Sequence, residues 1–130
     1  IHEPSILVTA EQVVVSHGKI LEKPRDEAEA REFLQGYSGS SAETVTALVV
    51  MNTETKKRAE GIDVAKIWFH TIPEQVIDEV IREGEIFLSA GGFSIEDPKL
   101  STFVERIEGT VESVIGLPKE LLERLMKEVV

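Results

Sequence analysis

The sequence predicts one α/β domain, or α+β in a broader sense, in which helices pack against a mixed β-sheet. Strand-like apolar runs, such as TVTALVVM ending at Met51, interleave with segments of helical periodicity. The 130 residues, 42% of them hydrophobic, are enough for one real core. Because there is no repeat and no long linker, a single domain covering residues 1–130 is expected.

The first predicted strand runs from Ser5 to Val15 and carries an unexpected acid. Glu11 lies between the apolar runs ILV and VVV, and we expect it to interrupt the strand. Burial of an unpaired charge is costly, so the carboxylate is either solvated at a strand edge or bulge, or functional. Turn residues follow at 16–19, and Ile20-Leu21 resume an extended segment.

Helix signals and two long apolar runs predict the remaining elements. Prolines, a capping box formed by Asp26 and Glu29, and apolar residues spaced by three or four positions indicate four helices. These begin at 26, 73, 98 and 118, and the first three end near 36, 84 and 108. The runs 43–51 and 61–70 predict an antiparallel hairpin, and 111–115 predicts a short strand.

Composition narrows the classes of partner. A net charge of −10 argues against a nucleic-acid polymer, which requires a basic face. A small phosphorylated ligand is still compatible, provided that local cations or a divalent metal offset its charge. No apolar run is long enough for a membrane span, and no signal peptide or cysteine occurs. We therefore expect a cytoplasmic protein without a membrane partner.

The order of several short motifs carries more information than any one of them. The motifs are TAEQVVV, ILEKPRDEAEAREFL, YSGS, a hairpin, FHTIPEQVIDEVI, AGGFSIED and ESVIGLP. This order resembles the Maf (septum-formation-like) family of nucleoside-triphosphate pyrophosphatases, with the Maf-like proteins of plants as the nearest in character. The resemblance covers nearly the whole chain.

The resemblance implies a fold and an activity. The fold would be a curved mixed sheet flanked by helices, as in Maf and inosine-triphosphatase-like proteins, often assembled as a homodimer. The activity would be hydrolysis of a modified or non-canonical nucleoside triphosphate to monophosphate and pyrophosphate, with Mg²⁺ or Mn²⁺ as cofactor.

The chain differs from the family pattern in two ways. Family members are longer, and they begin with a strand and a Ser-x-Ser-Pro-Arg-Arg-like phosphate-binding loop that is not found among these 130 residues. Their Ala-Asp motif is replaced here by Ala10-Glu11. We therefore expect impaired turnover and an uncovered sheet edge that favours self-association.

The resemblance assigns the catalytic roles to two residues. Glu11 matches the family's catalytic aspartate, which binds the metal and accepts a proton from the attacking water. Lys23 matches the lysine of the Lys-Pro motif beside the triphosphate, and Pro24 stiffens the backbone that aims it. We expect the two side chains to face one cleft. Without the resemblance, the simpler interpretation of each residue is an ordinary solvated charge.

Four further positions are predicted to bind substrate. Gln12 and Glu96 fall where the family recognises the base, and Glu96 suits a guanine-type base such as that of 7-methyl-GTP. Alternatively, Glu96 and Asp97 serve only to cap the helix that begins at Pro98. Gly91 and Gly92 either allow close approach to a ligand or form a turn with positive φ.

A second function stays open at this point. The chain would then be a catalytically inactive Maf-like module that serves in dimerisation or regulation. The missing loop and the change from Asp to Glu both favour that alternative.

Overall fold

A five-stranded sheet organises the protein, seen in a computed structural model that describes residues 5–92 and 97–130. The strand order is β2-β1-β3-β4-β5. The strands are β1 (Ile6–Ser16), β2 (Lys19–Leu21), β3 (Ser41–Asn52), β4 (Arg58–Phe69) and β5 (Val104–Glu108). The helices in the described part are α1 (Glu27–Tyr37), α2 (Glu74–Glu83), α3 (Pro98–Ser101), α4 (Val111–Ile115) and α5 (Lys119–Val129).

The α/β class is confirmed, but the direction of the strands differs from the expectation. Each described pair of neighbouring strands is antiparallel, so this part of the sheet is not mixed. The short turns after β1 and β3 reverse the chain directly, and an antiparallel neighbour is what such turns produce. The predicted hairpin of the third and fourth strands is confirmed.

The first strand runs without a break through Glu11. It pairs with β3 from Ile6 opposite Asn52 to Val15 opposite Glu43. The predicted interruption was wrong because the Glu11 side chain is exposed, and an exposed carboxylate in a strand carries no burial penalty.

Alternating side chains give the sheet an inner face and an outer face. The inner face includes Val14, Leu48 and Ile67, and its core clusters contain buried side chains of α1, α2 and α5. The outer face includes a row formed by Val13, Val45 and Val64 across three strands. It is open in the described part of the chain, where Val64 is 53% exposed and Ile62 is 69% exposed.

Helix termini follow the predicted signals in the first half of the chain. The carboxylate of Asp26 accepts a hydrogen bond from the Glu29 N–H at 2.8 Å and caps α1. Gly84 ends α2 in the left-handed conformation. None of the described helices is long and apolar enough to cross a membrane.

Two elements in the second half differ from the prediction. The predicted helix at 98–108 is only the short α3, because residues Val104–Glu108 pair with the free edge of β4 as β5. The predicted strand at 111–115 is the helix α4, capped by Thr110 and ended by Gly116 at a φ of 106°. Its Val and Ile residues favour a strand locally, but the two caps outweigh that preference.

The one-sided core predicts a contrast between two leucines. Leu34 in α1 is fully buried, whereas Leu88 is 74% exposed. Leu34→Ala should lower the free energy of unfolding by about 2–5 kcal/mol, because it leaves a cavity. Leu88→Ala should change it by less than about 0.5 kcal/mol. Urea titration followed by circular dichroism measures both, and equal effects would contradict the assigned core.

Candidate functional site

The Lys-Pro segment forms a corner between β2 and α1. A tight turn at His17 and Gly18, both with positive φ (50° and 77°), returns the chain from β1 into β2. After Leu21 the chain leaves the sheet, and the corner at Glu22, Lys23 and Pro24 leads into α1. Pro24 is buried and Lys23 is exposed, so the corner presents the lysine to solvent.

A cavity of about 700 Å³ lies beside this corner. Its volume falls in the range of small-molecule sites in proteins. The β1–β2 turn, the corner and one side of α1 form its walls. The lining residues are Ser16, His17, Lys19, Ile20, Leu21, Glu22, Lys23, Arg25, Glu29, Glu32, Phe33 and Gly36.

The cations that line the cavity differ in their partners. The Arg25 guanidinium donates two hydrogen bonds to the Glu29 carboxylate, at 3.0 and 2.9 Å. These bonds raise the pKa of Arg25 and engage its charge. Lys23 forms no ion pair within residues 5–92 and 97–130. Lys23 is therefore better placed than Arg25 to meet an anionic ligand.

Glu11 lies on the outer face of the sheet, opposite Ala47 on β3. It is not among the residues that line the cavity. Glu11 lies three positions before Val14 on β1, a distance of about 10 Å by strand geometry. Val14 pairs with Leu21, the last residue of β2 before the Lys-Pro corner. The predicted convergence of Glu11 and Lys23 on one ligand thus stays a prediction.

Gln12 points to the inner face and joins β1 to α4. Its Nε2 lies 3.1 Å from the carbonyl oxygens of Ser113 and Val114 and 3.0 Å from Thr46 Oγ1. An amide nitrogen carries only two hydrogens, so these three acceptors share them. The structure therefore gives Gln12 a role in holding α4 on the sheet. Its predicted contact with a base stays a prediction.

The double glycine packs against the Lys-Pro corner. Gly91 has a φ of 70° and Gly92 a φ of 61°. A Cβ on Gly91 would lie 2.9 Å from Val14, and one on Gly92 would lie 3.1 Å from Pro24. Both glycines thus have the positive φ of the predicted turn, and their close contacts are with other groups of the protein. Contact with a substrate stays a prediction for both.

The predicted base-recognition residue Glu96 lies outside the described residues. Its neighbour Asp97 is described and is buried. The Asp97 carboxylate accepts hydrogen bonds from the N–H groups of Lys99, at 2.8 Å, and Leu100, at 3.3 Å. Asp97 therefore caps α3, as the sequence predicts.

The described residues contain no ready-made metal site. Within 5–92 and 97–130, no group of three or more His, Asp or Glu side chains is arranged so that it could hold a metal ion. Mg²⁺ commonly takes one or two carboxylates and completes its shell with water and substrate phosphates. Glu11 fits such a site, because its carboxylate is exposed and makes no ion pair among the described residues.

Comparison with known proteins identifies the family. Residues 1–129 match the family described as Maf-like protein. The chain belongs to the Maf family. This Maf chain is 41% identical over 125 residues to the 7-methyl-GTP pyrophosphatase of Dictyostelium discoideum. The aligned residues make up 96% of the chain and 62% of that relative.

Two bacterial relatives carry other names. The dTTP/UTP pyrophosphatase of Carboxydothermus hydrogenoformans is 36% identical over 95% of the Maf chain and 66% of its own length. The nucleoside triphosphate pyrophosphatase of Chlamydia muridarum is 32% identical over 95% of the Maf chain and 62% of its own length. The chain thus spans less than two thirds of the length of each of these relatives.

Sequence reasoning missed some residues around the Lys-Pro corner. His17 and Lys19 line the cavity, and Tyr37 donates a hydrogen bond to the Gly91 carbonyl oxygen at 2.5 Å. The separation of 54 positions between Tyr37 and Gly91 gives no local signal of this bond. The two glycines and the tyrosine could have been linked only through the fold.

The role of Gln12 in the fold predicts an effect on stability. Gln12→Glu replaces a donor by a carboxylate that faces two carbonyl oxygens. The free energy of unfolding should fall by about 1–3 kcal/mol, because these buried groups lose their partner. Gln75→Glu, in the exposed first turn of α2, is the matched control and should be neutral. Equal unfolding midpoints in urea would contradict the assigned role.

Proposed function

We propose that this Maf chain is a nucleoside triphosphate pyrophosphatase, which releases a nucleoside monophosphate and pyrophosphate. The observation that carries the proposal is the Lys-Pro corner. It presents a lysine without an ion pair among the described residues to a cavity of about 700 Å³. Relatives named as pyrophosphatases of nucleoside triphosphates support the same reaction.

Lys23 would bind the phosphates of the substrate. The net charge of the protein is −10, so a triphosphate needs a local cation to approach this surface. An ammonium group supplies a compact positive charge, and the buried Pro24 fixes the backbone next to it. Removal of the charge should therefore weaken substrate binding more than it slows the chemical step.

Glu11 would act on the attacking water. Its carboxylate is exposed, so it can contact a water molecule and accept a proton from it. Among the described residues, the first eight residues of β1 pair with β3 on one side and have no strand on the other side. β2 pairs with β1 on that other side, but only at Val14, Val15 and Ser16. Glu11 and the Lys-Pro corner therefore lie along one margin of the sheet.

We propose Mg²⁺ or Mn²⁺ as the cofactor, with Glu11 as the protein ligand and the substrate phosphates as the others. A bound divalent ion would supply charge neutralisation at the phosphates. The glutamate extends one methylene further than the aspartate of the family pattern. A displacement of that order costs roughly 100-fold in rate, so we expect slow turnover.

The first test is a pyrophosphate-release assay on a panel of nucleoside triphosphates with Mg²⁺ or Mn²⁺. Glu11→Gln should lower kcat by about 100-fold or more, because the proton acceptor is lost. Lys23→Gln should raise KM by about tenfold. Glu54→Gln and Lys57→Gln, exposed in the β3–β4 turn, are matched charge controls and should be neutral. A folded wild-type chain without turnover would contradict the proposal and favour the non-catalytic module.

The base is proposed to be of the guanine type, with 7-methyl-GTP preferred over dTTP and UTP. A carboxylate at Glu96 can accept from both donors on the pairing edge of guanine. Methylation at N7 adds positive charge to the purine and strengthens those bonds. The name of the Dictyostelium relative agrees with this choice, whereas the name of the Carboxydothermus relative supports the opposite one.

Competition binding tests the choice of base. Wild type should prefer 7-methyl-GTP over UTP by about 1–3 kcal/mol, and Glu96→Gln should lose most of that preference. Glu85→Gln, an exposed acid in the preceding segment, is the control. A wild-type preference for UTP, or an unchanged ranking in Glu96→Gln, would assign Glu96 no part in base recognition.

We also propose that the chain associates with a second copy through the part of the outer face formed by β3 and β4, which leaves Glu11 on β1 uncovered. The centre of this part is apolar, with Val45, Val64 and Ile62. Its two ends are charged, and each carries both signs: Arg58 with Glu60, and Glu43 beside Lys66. A face of this kind can meet a copy of itself without like charges in contact.

Light scattering at tens of micromolar protein tests this association. Wild type should be a dimer, and Ile62→Lys should shift it to monomer, because a lysine would enter the apolar centre. Leu88→Lys, at an exposed leucine outside the sheet, should leave the dimer intact. A monomeric wild type, or a dimer unchanged by Ile62→Lys, would overturn the proposed surface.

A further inference from the structure

The segment around Gly91 is fixed from two sides. Its N–H donates to the Glu22 carbonyl oxygen at 2.9 Å. Its own carbonyl oxygen accepts from the Tyr37 hydroxyl at 2.5 Å. Both bonds join residues far apart in the sequence, and Glu22 is the residue directly before Lys23.

These two bonds close a ring of covalent and hydrogen bonds. The chain runs from Glu22 through the Lys-Pro corner into α1, which ends at Tyr37. From Tyr37 the ring continues through Gly91 and returns to Glu22. Gly92 packs against Pro24 on the same side, where a Cβ would come within 3.1 Å of the proline ring. The corner that presents Lys23 is thus enclosed by this ring.

Tyr37 is a suitable anchor for the ring. It is fully buried, and its ring stacks on Phe69 of β4 with centroids 5.6 Å apart. Burial raises the pKa of its phenol, so the hydroxyl keeps its proton and acts as a donor throughout the neutral range. A rigid side chain in the core therefore holds the Gly91 carbonyl.

We infer that Tyr37 is a positioning residue for substrate binding: its hydroxyl holds Gly91, and through Gly91 and Glu22 it fixes the corner that presents Lys23 to the phosphates. The inference rests on the proposed pyrophosphatase function. Tyr37 is buried in the core and does not line the cavity. The inference therefore adds a residue outside the cavity to those that determine substrate affinity.

Hydrogen exchange tests the restraint without use of the activity. In Tyr37→Phe the ring is kept and only the hydroxyl is lost. The Gly91 amide should then exchange about fivefold faster than in wild type, while the amide of Ile67 in the core stays nearly unchanged. Leu125→Ala, in the separate core cluster around Leu48, is the control for stability: it should accelerate both amides together. An unchanged Gly91 rate in Tyr37→Phe would overturn the inference.

Kinetics then test the consequence for the site. With the preferred triphosphate, Tyr37→Phe should raise KM by about fivefold and leave kcat near wild type, because phosphate binding is loosened. Leu125→Ala, measured well below its melting temperature, should keep the wild-type KM. A wild-type KM in Tyr37→Phe would overturn the positioning role. If the wild-type chain releases no pyrophosphate, the proposed function fails, and the exchange rates still decide the restraint.

Discussion

The pairing of β1 with β3 is the constraint on which the candidate site depends. Ten residue pairs set one register along the two strands. This register places Glu11 on the outer face and Gln12 on the inner face, where it binds α4. Because side chains alternate along a strand, a slip by one residue would bury the acid and release the helix. The same pairing thus determines both the exposure of Glu11 and the attachment of α4.

The two ends of the candidate site are held by different kinds of contact. Among the described residues, Glu11 is held only by its strand, at a margin where the sheet continues on one side. Lys23 lies on an irregular corner, and such a corner needs contacts from elsewhere in the chain to keep one position. Gly91 and Gly92 supply those contacts, and no larger residue fits beside Tyr37 and Pro24 without displacement. The glycines therefore act on the site through the backbone.

Some of this organisation was predictable from the sequence. Local signals were sufficient for the Asp26 cap, the β3–β4 hairpin and the end of α2 at Gly84. They failed for residues 104–108 and 111–115, where a free sheet edge and two helix caps decided the structure. The candidate residues Glu11 and Lys23 came from a family resemblance. The bonds that link Tyr37, Gly91 and Glu22 depend on tertiary contacts, so sequence pattern could not predict them.

The proposed chemistry requires Glu11 and Lys23 to act on one triphosphate. A crystal structure of the chain with Mg²⁺ and a non-hydrolysable nucleoside triphosphate analogue would show whether they do. We expect a phosphate oxygen within hydrogen-bond distance of Lys23 Nζ, with the metal bound to that triphosphate and to the Glu11 carboxylate. A triphosphate bound away from Lys23, or bound with Glu11 on the far side of the sheet, would rule out this arrangement.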